Sequence, residues 1–178
     1  MLRVISGSKK GIKIEIPKTK NVRPTIDRVK EAIFSIIQFE IKNKCFLDLF
    51  AGSGQVGIES LSRGASGAIF VDKFYYSVLA IKKNLSNLKL ENKAKVFMMD
   101  AATFLENTDL KFDLAFLDPP YSSGVLKQIL PLLVKKMLPN GIIIRENSIN
   151  NPLEDIKGFK IRKLYKYSNV SVVIYDKQ

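Results

Sequence analysis

From residue 45 onward the chain alternates between two hydrophobic periods. Short apolar runs near 45–50, 67–72, 94–99, 112–117 and 140–146 read as buried strands. Between them, near 55–63, 74–88, 101–107 and 123–137, apolar residues recur at three- and four-residue spacing, as in amphipathic helices. Regular alternation of this kind implies right-handed βαβ units and a parallel sheet covered on both faces. Two later runs, 160–166 and 170–175, are separated only by Tyr167-Ser-Asn169 and predict a hairpin that places antiparallel strands at one sheet edge. Near the start, 2–6 and 12–16 flank Gly7-Ser-Lys-Lys-Gly11 and read as a short β-hairpin with lysines in its turn. A basic, irregular stretch then leads to Thr25, a plausible N-cap for a helix carrying the stripe Val29, Ala32, Ile33, Ile36 and Ile37. The expected organisation is an N-terminal extension over 1–40 and an α/β domain over 41–178.

Four of the strand patterns end in an acid: Asp48, Asp72, Asp100 and Asp118. In an open α/β sheet the carboxyl ends of the strands border the ligand crevice, so these four would converge there. Gly52-Ser-Gly54-Gln-Val-Gly57 also satisfies G-x-G-x-x-G, and Asp72 has nearly the spacing of an acid that holds a ribose. Taken literally, this is a dinucleotide fingerprint. A dinucleotide, however, brings a pyrophosphate to the glycine turn beside Asp48, and like charges ~4 Å apart repel by ~4 kcal/mol at an effective dielectric near 20. S-adenosylmethionine (SAM), with a sulfonium, an ammonium and one carboxylate, suits a crevice of carboxylates better. Gly52 and Gly54 would let the backbone approach it, and the following helix N-terminus would meet its carboxylate. Asp72 could accept both ribose hydroxyls and Asp100 the adenine amino group. Either acid could instead be a helix N-cap, and the glycine turn could exist without a ligand.

The absence of histidine removes a His general base, a Ser-His-Asp triad and any His-containing zinc site. With Cys45 the single cysteine, expected in the core, neither a disulfide nor a bound metal is anticipated. No apolar run approaches a membrane span and no signal-peptide core is visible, so the expected compartment is the cytoplasm. The positive charge is unevenly spread. Of +12 overall, residues 1–30 hold +7, which suggests a phosphate-binding surface rather than a merely solvated one. Lys9, Lys10, Lys13, Arg23 and Arg28 are its candidate phosphate contacts.

Asp118-Pro-Pro-Tyr121 is the most specific segment. Pro119 and Pro120 lack N–H donors and restrict the chain, which would hold Asp118 and the following carbonyls rigidly at a strand end. The exocyclic amine of a nucleobase is a poor nucleophile because its lone pair is delocalised into the ring. Donating its two N–H groups to Asp118 and a backbone carbonyl would favour a pyramidal nitrogen aimed at a sulfonium methyl. Tyr121 is placed to stack on an unstacked base. The bland alternative is a proline-bounded strand end with a surface tyrosine.

Together these residues resemble the small-subunit ribosomal RNA guanine-N2 methyltransferases of the RsmD type. The similarity runs through Arg3-Val-Ile-Ser-Gly7, Arg23-Pro-Thr-Ile-Asp-Arg-Val-Lys-Glu-Ala-Ile-Phe34, Asp48 to Gly54, Gly57-Ile-Glu-Ser-Leu-Ser-Arg-Gly-Ala65 and Asp118 to Tyr121. The last segment is shared with DNA adenine methyltransferases; the Arg23–Val29 segment discriminates. The resemblance implies a class I SAM-dependent methyltransferase fold, mostly parallel with an antiparallel C-terminal hairpin. It also implies methylation of one guanine N2 in 16S rRNA. The expected partner is that RNA or a small-subunit assembly intermediate, and the expected state is a monomer. It maps the SAM site onto Asp48, Gly52, Gly54, Asp72 and Asp100, and catalysis onto Asp118 and Tyr121. The chain departs from the family pattern at Gly11-Ile-Lys13 and at Tyr167-Ser-Asn169, both outside the core motifs. A DNA adenine-N6 methyltransferase is the within-class alternative, but 178 residues leave no room for a separate target-recognition domain. A NAD-dependent oxidoreductase would need a catalytic group beyond the acids.

Overall fold

The computed structural model describes residues 2–17, 27–120, 124–149, 151–167 and 169–178. After α1 (Asp27–Ile36), strands and helices alternate as β1 (Cys45–Leu49), α2 (Gln55–Ser62), β2 (Gly67–Asp72), α3 (Tyr75–Leu88), β3 (Ala94–Met98), α4 (Ala101–Asn107), β4 (Phe112–Leu117), α5 (Val125–Val134) and β5 (Met137–Ser148). β6 (Phe159–Tyr167) and β7 (Val170–Lys177) complete one seven-stranded sheet in the order β3-β2-β1-β4-β5-β7-β6. The first five are parallel neighbours, and β7 runs antiparallel to both β5 and β6. Thr25, the expected cap of α1, lies outside the described residues.

Strand alternation divides the core in two. Phe46, Phe70, Phe116 and Ile144 face one layer, where they meet Ile33 and Phe34 of α1, Val56 and Leu61 of α2, and Ile81 and Leu85 of α3. Leu47, Leu49, Ala115 and Ile143 face the other, against Phe104 and Leu105 of α4 and Ile129 and Leu133 of α5. Leu2, Val4 and Ile14 of the N-terminal hairpin join the first cluster, so this segment and α1 share the core of the sheet.

The hairpin is narrower than its pattern suggests. It has one antiparallel bridge, Arg3 to Lys13, flanked by Val4 N to Ile12 O at 2.9 Å and Ile14 N to Leu2 O at 3.0 Å. The donors that would extend the ladder go to α2 instead. Ile5 N and Ser6 N donate to the Glu59 carboxylate at 2.8 and 2.9 Å, and Ser8 N and Lys9 N donate to Ser62. Gly7 sits so close to α2 that a Cβ there would lie 2.0 Å from the Ser62 carbonyl oxygen. The lysine turn is therefore latched to the helix that follows the glycine motif.

Candidate active site

β1 ends in a sharp turn. Phe50 adopts a left-handed conformation (φ 72°), and its N–H and that of Ala51 both donate to the Val71 carbonyl at 3.0 Å. Gly52 and Gly54 are left-handed as well, at φ 56° and 75°. Gly57 meets a different demand: a Cβ there would come within 2.3 Å of the Phe70 ring. That contact lets its N–H reach Asp48 Oδ2 at 2.8 Å, which satisfies an N–H of the first turn of α2 from the strand below.

Register separates the acids by depth. Asp48 pairs with Phe70 and Phe116, whereas Asp72 and Asp118 lie two residues further along their strands, about 7 Å at the usual strand rise. All three share the parity of the α1–α3 face. Asp48 is only 1% exposed and lies beneath the turn, where it supports α2 and reaches the crevice by its field alone. Asp72, also buried, accepts from Gly52 N at 2.8 Å on one oxygen and Phe74 N at 2.9 Å on the other. Asp100 is exposed and caps α4 through Ala102 N at 2.9 Å. Each carboxylate oxygen can accept a second hydrogen bond, so capping does not bar Asp72 or Asp100 from a ligand.

Asp118 follows β4, half-buried, with Pro119 buried and Pro120 exposed beyond it. Tyr121 lies outside the described residues, as does Arg23. The structure adds an acid that the strand-end count overlooked: Glu146, on β5 and in the same-face register beside Asp118. The run Ile142-Ile-Ile-Arg-Glu146 ends like the other strands, but Arg145 interrupts the apolar pattern. Burial pushes the Asp118 carboxyl well above the usual carboxylate range, and the charges of Glu146 and Asp48 push it further. Burial raises Asp72 as well, against the opposing Phe74 and Gly52 N–H groups.

Asp48 offers a direct measure of this crowding. Burial pushes it up to about 7, with the Gly57 N–H opposing the rise and the Asp72 charge adding to it. Between about pH 4 and 7 the folded chain therefore keeps a proton that the unfolded chain has released. The stability contributed by that proton is fully present at low pH and declines as pH rises through about 7. Asp48→Asn keeps an oxygen for the Gly57 N–H and removes the titration. Its thermal stability should gain on the wild type as pH rises from 4 to 8, measured by calorimetry. Parallel pH profiles would show that Asp48 is ionised throughout.

The crevice fits a cationic ligand that also carries hydrogen-bonding groups. Four carboxylates, those of Asp72, Asp100, Asp118 and Glu146, border one sheet edge. Among the described residues, Ser53 Oγ in the glycine turn and Gln55 Oε1 at the start of α2 are buried without a hydrogen-bond partner. Gly54 supplies no side-chain cap to α2.

The family model described as "Conserved hypothetical protein 95" matches residues 2–176. Ribosomal RNA small subunit methyltransferase D of Escherichia coli is 34% identical over 157 residues, 87% of this chain and 79% of that protein. The chain belongs to the RsmD family. The Haemophilus influenzae protein of the same name is 33% identical, covering 98% of this chain and 93% of its own. Among solved structures, yhhF from Escherichia coli matches with a TM-score of 0.88 at 29% identity, over 99% of this chain and 98% of that one. An RNA methyltransferase from Salinibacter ruber, solved with S-adenosyl-L-homocysteine, shares the fold at TM-score 0.69 and 14% identity, over 87% and 94%. The RsmD-family sheet is thus of the class I methyltransferase type.

In this RsmD-family chain the N-terminal segment and the glycine turn meet at one side chain. Asn84 of α3, buried, accepts from Glu15 N at 2.8 Å and donates to Glu15 O at 2.9 Å and Ser53 O at 3.1 Å. It falls on the buried face of α3 with Val78, Ile81, Leu85 and Leu88, where a polar residue on the apolar stripe was the available sign of an interior role. Of the basic residues singled out near the N-terminus, Lys9 is half-buried and Lys10, Lys13 and Arg28 are exposed.

Proposed function

We propose that this protein transfers the methyl group of SAM to the exocyclic N2 amine of one guanine in 16S rRNA, on the RNA or on a small-subunit assembly intermediate. The observation that carries the reading is Asp118 at the end of β4, followed by two prolines and set beside the glycine turn within a ring of acids. Asp72 would hold the ribose hydroxyls and Asp100 the adenine amine, while the turn from Ala51 to Gly54 would meet the methionine portion. When bound, SAM supplies a methyl group on a sulfonium, a leaving group that needs no further activation.

The chain's own part is positioning and charge. A positive charge in the crevice draws Asp118 back to its ionised form, the form that accepts from an N–H. Asp118 and a neighbouring backbone carbonyl take the two N–H groups of guanine N2 and direct its lone pair to the methyl. With SAM bound, Asp118 would hold the amine in line while the methyl group is transferred, the bonding pair of the broken S–C bond staying with the departing thioether. One N2 proton then departs, and a carboxylate with a raised pKa is suited to receive it. Tyr121 would stack on the base, and Arg23 and Arg28 would flank the entrance.

The test is to incubate the protein with methyl-labelled SAM and unmodified 16S rRNA or small-subunit particles, then digest and identify the product nucleoside. N2-methylguanosine at a single position is the expected result. Label in N6-methyladenosine, or transfer to DNA alone, would overturn the reading in favour of an adenine methyltransferase.

A further inference from the structure

Three consecutive aromatic residues lie exposed at the start of α3. Phe74, Tyr75 and Tyr76 are 43%, 61% and 58% exposed, and Leu79 one turn on is 50% exposed. An amphipathic helix has no need of them there, since Val78, Ile81, Leu85 and Leu88 already supply its buried stripe. The Tyr75 and Tyr76 rings meet edge to face at 5.6 Å, and Lys73 Nζ stands 5.2 Å from the Phe74 ring.

The surroundings are basic. Residues 73–95 hold six lysines and one acid, Glu91, so this stretch carries a net +5 of the chain's +12. Lys82 and Lys83 lie on the exposed side of α3 with Leu79. The surface is continuous with the N-terminal hairpin, because Lys83 pairs with Glu15 at 2.9 Å and Asn84 hydrogen-bonds the backbone of the same residue. It also begins at the crevice, since the Phe74 N–H donates to Asp72.

We propose that the outer face of α3 is a second RNA-contact surface, on which Tyr75 and Tyr76 stack unpaired bases flanking the target nucleotide while the lysines follow the backbone. This deepens the proposed function and rests on it. Aromatic side chains interleaved with cations form the usual platform for single-stranded nucleic acid. Protein interfaces, by contrast, are depleted of lysine at their centres, which favours RNA as the occupant.

The experiment compares full-length wild type with Tyr75→Ala/Tyr76→Ala, Tyr75→Phe/Tyr76→Phe and Lys9→Ala/Lys10→Ala/Lys13→Ala. Each is titrated with unmodified 16S transcript and with small-subunit particles over a range of salt. The alanine pair should weaken binding to the transcript about ten- to a hundredfold without changing the salt slope. The phenylalanine pair should bind like wild type. The lysine triple should lower the slope by roughly one unit per lost phosphate contact. Wild-type affinity in the alanine pair would overturn the proposal, as would equal losses in the phenylalanine pair. A loss confined to particles would assign the face to a protein partner, and a loss of SAM affinity would assign the tyrosines to the cofactor pocket. Failure of the wild type to bind or methylate RNA would instead count against the function itself.

Discussion

Asp118→Ala is expected to lower methyl transfer by about two to three orders of magnitude in a protein that remains folded. One preorganised hydrogen bond at a reacting centre is worth ~3–4 kcal/mol, and this substitution removes the acceptor that orients the amine. Folding should not suffer, because burial, with the charges of Glu146 and Asp48 beside it, disfavours the Asp118 carboxylate in the folded chain. Removing it relieves that repulsion, so stability at neutral pH should be maintained or rise. SAM affinity should fall little, since the cofactor is assigned mainly to the turn after β1 and the ends of β2 and β3. Asp118→Asn should be milder, as an amide oxygen still accepts the bond without the charge. Single-turnover rates decide the matter: near-wild-type methyl transfer by Asp118→Ala would exclude the proposed role.

Glu59→Ala should be the most damaging single substitution for stability. The Glu59 side chain is fully buried and accepts from Ile5 N, Ser6 N and, at 2.8 Å, Arg63 Nε. Oε2, which takes the Ile5 N–H, also lies 3.9 Å from Lys30 Nζ, which is fully buried too and donates to the Arg3 carbonyl at 2.8 Å. Burial lowers the Lys30 pKa, and the charges of Glu59 and Asp27 oppose that shift. Without Glu59 the ammonium loses its main compensating charge and two backbone N–H groups lose their acceptor. Breaking a buried pair by removing one partner costs about 3–5 kcal/mol. In a domain of this size each kcal/mol shifts Tm by roughly 2–4 °C, so a fall of about 10 °C is expected. Glu59→Ala/Lys30→Met removes the stranded charge and should recover part of the loss in urea unfolding. A Tm unchanged in Glu59→Ala would show that the N-terminal latch contributes nothing to the fold.

Periodicity was a good guide wherever one hydrophobic pattern filled one element. The helix over Ala101–Asn107 and the strands over Gly67–Asp72 and Phe112–Leu117 fall where the apolar spacing places them. It was weaker where backbone groups found partners outside their own element. The N-terminal ladder stops short because Glu59 and Ser62 take its donors, a pairing across more than fifty residues that no local pattern reveals. β5 begins at Met137, earlier than its apolar run, because Met137 pairs with Phe112 of β4 ahead of a register shift that takes in the left-handed Asn140 (φ 62°). The acids were legible as strand ends but not in depth. Asp48 lies one strand period below the others, and only register shows that it supports the glycine turn from beneath. Glu146 escaped notice because Arg145 breaks the apolar run just before it, and Asn84 because it follows two lysines and only burial sets it apart from them.

The placement of β7 bears on the order in which the sheet can be completed. β6 is made first, yet among the described residues its strand neighbour is β7, which lies between it and β5. Until Val170–Lys177 emerges, β5 keeps an open hydrogen-bonding edge and β6 has nowhere to pair. Glu146 lies opposite Val172 across that seam, so the acidic wall next to Asp118 is fixed only when β7 arrives. A nascent chain halted after β6 would thus already possess the glycine turn and the Asp118 segment but lack a finished crevice, and its uncovered β5 edge would invite pairing with other chains.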